Sequence, residues 1–207
     1  MSPQEHARVT DAIRSAEQTT AGEIYCVVAR TSDSYFFQAA VTLIVAMLIA
    51  SLIIAFAIEQ WWLTLRLPLF VAAQMLALAS ALFVLWLLPG LRILLVPRRL
   101  RYRRAHDNAL KQFLARNVHI TSARTGVLIF VSLAERYAEI VADSGINKCV
   151  PQSVWDGFVA DLVADAGQNR LADGFVSAVG KVGNLLTEHF PAHAKDVNEL
   201  DDHLVEI

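Results

Sequence analysis

Residues 36–58 read FFQAAVTLIVAMLIASLIIAFAI, and residues 67–88 read LPLFVAAQMLALASALFVLWLL. These two runs contain no charged residue, and they decide how the chain is organised. About 20 helical residues, each rising about 1.5 Å, cross a hydrocarbon core about 30 Å thick, so both runs are long enough. They are apolar on every helical face, whereas long helices of soluble proteins are normally amphipathic. The sequence therefore predicts a hairpin of two transmembrane helices.

Arginine bias predicts the orientation of this hairpin. Residues 89–104 contain six arginines and no acidic residue, whereas the loop between the runs holds only Arg66, offset by Glu59. The positive-inside rule places the arginine-rich side in the cytoplasm. Two spans return the chain to the side it left, so we expect both termini there. Trp61 and Trp62 would then belong to an aromatic belt at the opposite interface.

The charge outside the hairpin is strongly segregated. Residues 98–124 hold eight basic residues and one acidic residue, whereas residues 125–207 are acidic overall. The basic block directly follows a predicted span, so we expect it to contact anionic lipid headgroups at the membrane surface. Nucleic acid is not an expected partner, because charge alone is weak evidence and Tyr102 is the one aromatic residue interleaved with the arginines at 98–104. The residues assigned to the membrane surface are Arg98, Arg99, Arg101, Arg103 and Arg104.

The hairpin is flanked by patterns typical of helices and strands. Ser2 and Glu5 form a capping-box pattern with Pro3 at the first helical position. Hydrophobic periodicity predicts helices near 3–16, 98–118, 151–167 and 171–189, and strands at 23–30, 126–133 and 137–143. The last two strands are close enough to form a hairpin. Cys26 lies in the first strand, and we expect it to be a free thiol in the core, with Cys149 also free.

The first helix and strand are too few to fold alone, since a single strand cannot satisfy its own hydrogen bonds. We therefore predict one discontinuous α/β domain, formed by residues 1–35 and 98–190, into which the membrane hairpin 36–88 is inserted. Residues 89–104 would form a basic juxtamembrane segment, and residues 191–207 a solvated or loosely docked acidic tail. A single domain requires the strand at 23–30 to pair with the strand at 126–133.

Four stretches resemble the TPM domain family, named for a thylakoid lumen protein, a photosystem II repair factor and an acetylcholine-receptor accessory protein. RTGVLIFVS at 124–132 and YAEIVADSGI at 137–146 are similar to the family's central strands and following loop. TAGEI at 20–24 and RLADGF at 170–175 resemble its first-strand entry and last-helix start. The likeness covers both polar segments. The resemblance is strongest to a bacterial membrane-protein branch of the family that has a two-span insertion. This implies a multi-pass protein of the bacterial plasma (inner) membrane.

The resemblance implies an α/β sandwich with a small mixed sheet, and a disputed acid phosphatase activity with calcium binding in plant members. The plant-type loop has a Gly-x-Gly pattern followed by Thr-Asp. The matching positions here read Asp143-Ser144-Gly145 and Val150-Pro151, so the loop departs from that pattern.

The residues themselves offer one set of candidate ligands. The candidate ligands for calcium or magnesium are Glu23, Asp143 and Asp156, whose oxygens would have to converge. The alternative is that Asp143 caps a turn and Asp156 is a solvated acid near a helix N-terminus, and this alternative is favoured. No catalytic residue is assigned, because the sequence lacks an Asp-x-Asp, a Cys-x5-Arg and a P-loop pattern. Apart from a calcium or magnesium ion at these three residues, we expect no cofactor.

Ser144 and Gly145 are candidate contacts for an unidentified protein partner. Trp155 is either a core anchor or a third such contact. Ala73, Ala77 and Ala81 form a small-residue face suited to close helix packing, either within the hairpin or in a homodimer. The function expected is that of a non-catalytic interaction or regulatory module. The alternative is a weak divalent-metal-dependent phosphomonoesterase.

Overall fold

A computed structural model describes residues 1–60, 66–121, 124–192 and 203–207. The chain forms two compact units. The α/β unit comprises Met1–Ser32 and Tyr102–Ile207, and the hairpin unit comprises Asp33–Arg101. Trp61, Trp62 and most of the acidic tail (193–202) lie outside the described residues, so their predicted roles stay predictions.

The described residues contain eight α-helices, one 3-10 helix and four strands. In chain order they are α1 (Pro3–Glu17), β1 (Glu23–Ala29), α2 (Phe36–Gln60), α3 (Leu67–Leu87), α4 (Pro89–Leu94), α5 (Arg98–Ala115), the 3-10 helix (Val118–Ile120), β2 (Gly126–Ser132), β3 (Tyr137–Ala142), α6 (Ser144–Asn147), α7 (Gln152–Gly167), α8 (Leu171–His189) and β4 (Leu204–Glu206).

One four-stranded mixed sheet, in the order β3–β2–β1–β4, organises the α/β unit. β1 runs parallel to β2, with Glu23 opposite Gly126 and Ala29 opposite Ser132. This confirms that 23–30 pairs with 126–133, although the hairpin sequence lies between them. β2 and β3 are antiparallel, so the predicted strand hairpin is also confirmed.

The sheet is covered on both faces because alternate residues of β1 and β2 point to opposite sides. Cys26 and Ile129 face α1, α7 and α8, whereas Val27 and Phe130 face α5. Both central strands are buried along their whole length, which explains their continuous apolar sequences. Cys26 is a fully buried core residue, as expected.

The apolar stripe of α5 differs from the prediction. Ala109 and Phe113 are buried as expected, but Leu110 and Leu114 are exposed, and Ala105 takes their place in the core. Ala105, Ala109 and Phe113 are spaced at i, i+4 and i+8, so they form one narrow line along the helix. A helix that covers one sheet face by itself needs only that line.

β4 was not predicted. Leu204–Glu206 pairs in parallel with Cys26–Val28, where a solvated or loosely docked acidic tail was expected. Three residues are too short to give a periodic signal among acidic neighbours. Glu206 is held by His6 of α1, with 2.8 Å between its Oε1 and the histidine Nε2, and by the amino group of Met1 at the same distance.

The hairpin unit contains two helices, α2 and α3, that are long and apolar enough to cross a membrane. Gln74 Nε2 donates a hydrogen bond to Ser51 Oγ between them. The short helix α4, also not predicted, begins at Pro89. Arg92 fixes it by donating to the carbonyls of Leu85 (2.9 Å) and Trp86 (2.8 Å) at the end of α3. These are carbonyls that a helix end leaves without partners in the helix itself.

Candidate functional site

Two of the three predicted metal ligands lie at one end of the sheet. Glu23 is the first residue of β1, directly opposite Gly126. Asp143 follows β3, and its backbone N–H donates to the Gly126 carbonyl at 2.9 Å. Neighbouring strands are about 4.8 Å apart, so these two backbones are separated by about 10 Å. Both side chains are buried.

Asp143 caps the short helix α6. Its Oδ1 accepts from the Ser144 N–H at 2.5 Å and lies 4.0 Å from Arg124 Nη1. Its Oδ2 is buried and has no hydrogen-bond partner among the described residues. Arg124 has a left-handed backbone (φ 56°), and its carbonyl accepts from the Gly145 N–H at 3.2 Å. The loop before β2 and the start of α6 are therefore joined around this carboxyl group.

Asp156 does not join Glu23 and Asp143. It is the fifth residue of α7 and is exposed, and its Oδ1 accepts from Gln152 at 3.1 Å. Within the described ranges, which include all three carboxylates, no three His, Cys, Asp or Glu side chains gather as metal ligands would. The reason is local: Trp155 points into the core, so the next residue, turned by about 100° along the helix, faces outward. The predicted three-ligand set is not assembled.

The predicted partner contacts divide between surface and core. Ser144 is exposed and Gly145 partly so, and they share this surface with the exposed Lys148 and Cys149. Trp155 is only 2% exposed and packs edge-to-face on Phe158, with 6.0 Å between ring centroids. It is the core anchor of α7, and its assignment as a partner contact is wrong for this conformation.

A polar cluster that the sequence did not predict lies at the opposite end of β1 and β2. Glu135, in the β2–β3 turn, is 2% exposed. It accepts from Ser132 Oγ, from the Ser32 N–H at 2.9 Å and from Thr31 Oγ1 at 3.3 Å. Ser32 Oγ and Ser132 Oγ lie 2.9 Å apart. Glu135 thus ties the exit of β1 to the end of β2. The Ser-x-x-Glu spacing of 132–135 was the available signal, but Ser32 comes from 100 residues earlier.

A second unpredicted cluster joins α5 to β3. His106 Nδ1 lies 2.9 Å from both oxygens of Glu139, and Tyr137 donates its hydroxyl to Glu139 at 2.9 Å. Burial, and then the neighbouring Glu139 carboxylate, raise the pKa of Tyr137 well above its usual range. Tyr137 therefore remains a donor at physiological pH. The ring of Tyr102 packs on Tyr137 with centroids 5.4 Å apart.

A cavity of about 340 Å³ opens between the β2–β3 turn and the end of α7. Its walls are mainly apolar, including Val131, Leu162 and Ala166, and the exposed Arg136 lies at its edge. The Ser132 hydroxyl, which also lines it, donates to Glu135. The cavity could hold a small apolar group.

Comparisons with known proteins bear on the fold. No family model matches the chain, and no curated protein matches it. Its structure is similar to the NMR structure of the BA42 protein from the psychrophilic bacterium Bizionia argentinensis, with a TM-score of 0.61 and 20% sequence identity. The match covers 100% of this chain and 94% of that chain. At this identity the likeness shows the fold alone, a mixed α/β architecture.

Proposed function

We propose that the protein is a membrane-anchored TPM-like α/β domain that acts as a non-catalytic interaction or regulatory module. The observation that carries the proposal is the parallel pairing of β1 with β2, residue for residue from Glu23 to Ala29. The two strands come from either side of the hairpin sequence. If α2 and α3 cross a membrane, the chain connects the folded sheet to the membrane both before α2 and after α3, so the α/β unit stays membrane-bound.

The proposed location is the bacterial plasma (inner) membrane, with both termini in the cytoplasm. Support comes from the six arginines and absent acids of residues 89–104 and from two helices apolar enough to span. Cys149 offers a direct test because it is an exposed free thiol, whereas Cys26 is a buried one. A membrane-impermeant maleimide should label inside-out vesicles and leave intact spheroplasts unlabelled.

The matched control for this test is Cys149→Ser. It should abolish labelling of the folded protein, because the remaining thiol, Cys26, is buried and out of reach of the reagent. Burial also raises the pKa of the Cys26 thiol, which keeps it in the unreactive protonated form. Labelling of Cys149 in intact spheroplasts would place the α/β unit on the other side of the membrane. Release of the protein by alkaline carbonate would contradict membrane anchorage itself.

The proposed partner surface is the exposed end of α6, including Ser144 and Gly145. A photo-crosslinking amino acid at Ser144 should give a discrete protein adduct in native membranes. The same amino acid at Asp11, an exposed position of α1, serves as the control and should give none. Identical adduct patterns at both positions, or none at either, would contradict a specific surface at α6.

One observation favours the enzymatic alternative. Asp143 has a buried carboxylate oxygen without a hydrogen-bond partner among the described residues, at the same sheet end as Glu23. Burying such an atom is costly, and a bound cation would satisfy it. A calcium and magnesium titration of the solubilised protein, run with a phosphomonoester assay, tests this function. Turnover that needs the metal and disappears in Asp143→Asn would support the enzyme; absence of both binding and turnover would reject it.

A further inference from the structure

The cavity beside the β2–β3 turn lies at an open edge of the sheet. β3 is the last strand of the order β3–β2–β1–β4, so its outer edge pairs with no strand among the described residues. The Asp143 N–H donates to Gly126, and hydrogen-bonded pairs alternate along an antiparallel ladder, so the backbone of Ala138 points away from β2. The Asn147 side chain agrees with this alternation, because it donates at 2.8 Å to the carbonyl of Ala142, which also points outward. Ala138 is partly exposed, and within the described ranges its N–H and carbonyl have no hydrogen-bond partner.

The cavity lies on the same face of the sheet as the Ala138 side chain. Val131 pairs with Ala138 across β2 and β3, and directly paired residues place their side chains on one face. Both residues line the cavity, opposite Leu162 and Ala166 of α7. A residue added opposite Ala138 on a further antiparallel strand would therefore direct its side chain into the cavity. The volume of about 340 Å³ is at the small end of the range for ligand sites, and the mainly apolar walls match one apolar side chain.

A positively charged side chain lies at the edge of the same cavity. Arg136 is exposed, lines the cavity, and makes no side-chain hydrogen bond or ion pair within the described residues. It precedes Ala138 by two residues, so the two backbones are at most about 7 Å apart along the chain. The backbone of Arg136 is left-handed (φ 52°), a conformation that glycine adopts more readily than arginine. The turn itself therefore does not require an arginine at this position.

We propose that this site binds the carboxyl terminus of a partner protein whose last residue is apolar. The last residue lies opposite Ala138, with its side chain in the cavity and its N–H donating to the Ala138 carbonyl. Its carboxylate accepts from the Ala138 N–H and from the guanidinium of Arg136. The antiparallel direction follows from charge, because a parallel peptide would bring its amino end to Arg136. Strand addition at a sheet edge, with a pocket for a side chain, is a recurring mode of peptide recognition.

This inference rests on the proposed role as an interaction module and adds a class of partner to it. The site is at the start of β3, whereas the proposed α6 surface follows the end of β3. The α/β unit would therefore have two separate partner surfaces, one at each end of this strand.

Retention of synthetic hexapeptides by the immobilised full chain in a neutral detergent tests the proposal. Three pools share five randomised positions and end in leucine with a free carboxylate, in leucine amide, or in aspartate with a free carboxylate. The leucine-acid pool should be retained at least about tenfold better than the other two, because a hydrogen bond to a charged group contributes about that factor. Hydrogen exchange of the Ala138 amide should become slower when this pool is bound. Equal retention of the three pools, or retention of none, would overturn the proposal.

Arg136→Gly removes the guanidinium and leaves the residue that the left-handed backbone favours, so the variant should fold and lose about tenfold in affinity. Arg116→Gln is its control, since it also removes one positive charge, from an exposed residue outside the cavity lining. Ala166→Leu fills the cavity and should abolish retention. Its matched control is Ala164→Leu, at an exposed position of α7 outside the lining.

Both control variants should retain the leucine-acid pool as the unmodified protein does, and circular dichroism establishes that all four variants are folded. Full retention by Arg136→Gly or by Ala166→Leu would overturn the site.

Hexanoate distinguishes a peptide site from a site for a small free acid. It has a carboxylate and an apolar chain but no N–H for the Ala138 carbonyl. One missing neutral hydrogen bond corresponds to about a fivefold weaker affinity, so hexanoate should displace the leucine-acid pool only at correspondingly higher concentration. Displacement at the concentration at which the peptides themselves half-saturate the protein would overturn the assignment to a protein partner.

This proposal and the proposed function fail in distinguishable ways. If no pool is retained but Ser144 crosslinks a protein, the interaction module stands and only the carboxyl-terminus site is lost. If alkaline carbonate releases the protein from membranes, the anchorage fails, whereas peptide retention is measured in detergent and does not depend on it.

Discussion

The strongest stability prediction concerns Glu135. Replacing it with alanine removes the acceptor for the Ser32 N–H at 2.9 Å and for the hydroxyls of Ser132 and Thr31. A buried donor left without a partner costs about 1–3 kcal/mol, and each lost hydrogen bond about 1 kcal/mol more. Ser132 retains a contact with Ser32 Oγ, so we expect a loss of about 2–4 kcal/mol in the free energy of unfolding.

Two measurements on the full chain in detergent check this value. The urea midpoint of the α/β unit should fall, and hydrogen exchange should speed up in the peptide that contains Ser32. Glu135→Gln, which keeps one carbonyl acceptor, should lose about half as much. Glu188→Ala is the control because Glu188 is exposed on α8. If Glu135→Ala costs no more than that control, then the cluster does not hold the exit of β1.

Four further changes have expected results. Gly126→Ala should destabilise by about 3 kcal/mol or more, because its Cβ would lie 2.0 Å from the Val118 carbonyl oxygen; thermal unfolding measures the loss. Gly157→Ala, in an open helical position, should stabilise by about 0.5–1 kcal/mol in the same assay. The amino terminus and His6 lower the pKa of Glu206, so these contacts stabilise the fold fully above pH 4.5 and their stabilisation is lost as the pH falls through the lowered pKa. Hydrogen exchange of the β4 amides should therefore become faster at that low pH in the unmodified protein but not in Glu206→Gln. Replacement of Asp33–Arg101 by a flexible 12-residue linker should yield a soluble, cooperatively folding α/β unit, and an aggregated product would contradict its independence.

The central strands and the long helices were predictable because their signals are local. GVLIFVS at 126–132 is a continuous apolar run of strand length, and α7 begins directly after Pro151, as its sequence indicates. The pairing of 23–30 with 126–133 also followed, since a lone strand at 23–30 could not satisfy its own hydrogen bonds and both runs are continuously apolar. By contrast, β4 and α4 are three and six residues long, and elements so short carry no periodic pattern.

The candidate sites were harder to predict because their members come from distant parts of the chain. The contact between His106 and Glu139 spans 33 residues, and that between Ser32 and Glu135 spans 103. No residue near Glu135 in the sequence indicates that its carboxylate accepts a hydrogen bond from the Ser32 N–H. Glu23, Asp143 and Asp156 do not come together, and here the reason is local to the sequence. Closeness in sequence to a buried Trp155 placed Asp156 on the outer surface of its helix.

The clusters at the carboxyl ends of β1 and β2 explain how a 69-residue insertion (33–101) fits into this sheet. Ser32, the last residue before it, lies with its Oγ 2.9 Å from Ser132. Tyr102, the first residue after it, packs on Tyr137, whose partner across the β2–β3 pair is again Ser132. Entry and exit therefore meet at the same strand pair. Loop-closure entropy grows only with the logarithm of loop length, so shortening the insertion from 69 to 12 residues should favour folding by about 1.5 kcal/mol. The same closeness gives the Glu135 cluster its importance, because the cluster holds the point where the hairpin unit (33–101) leaves the sheet.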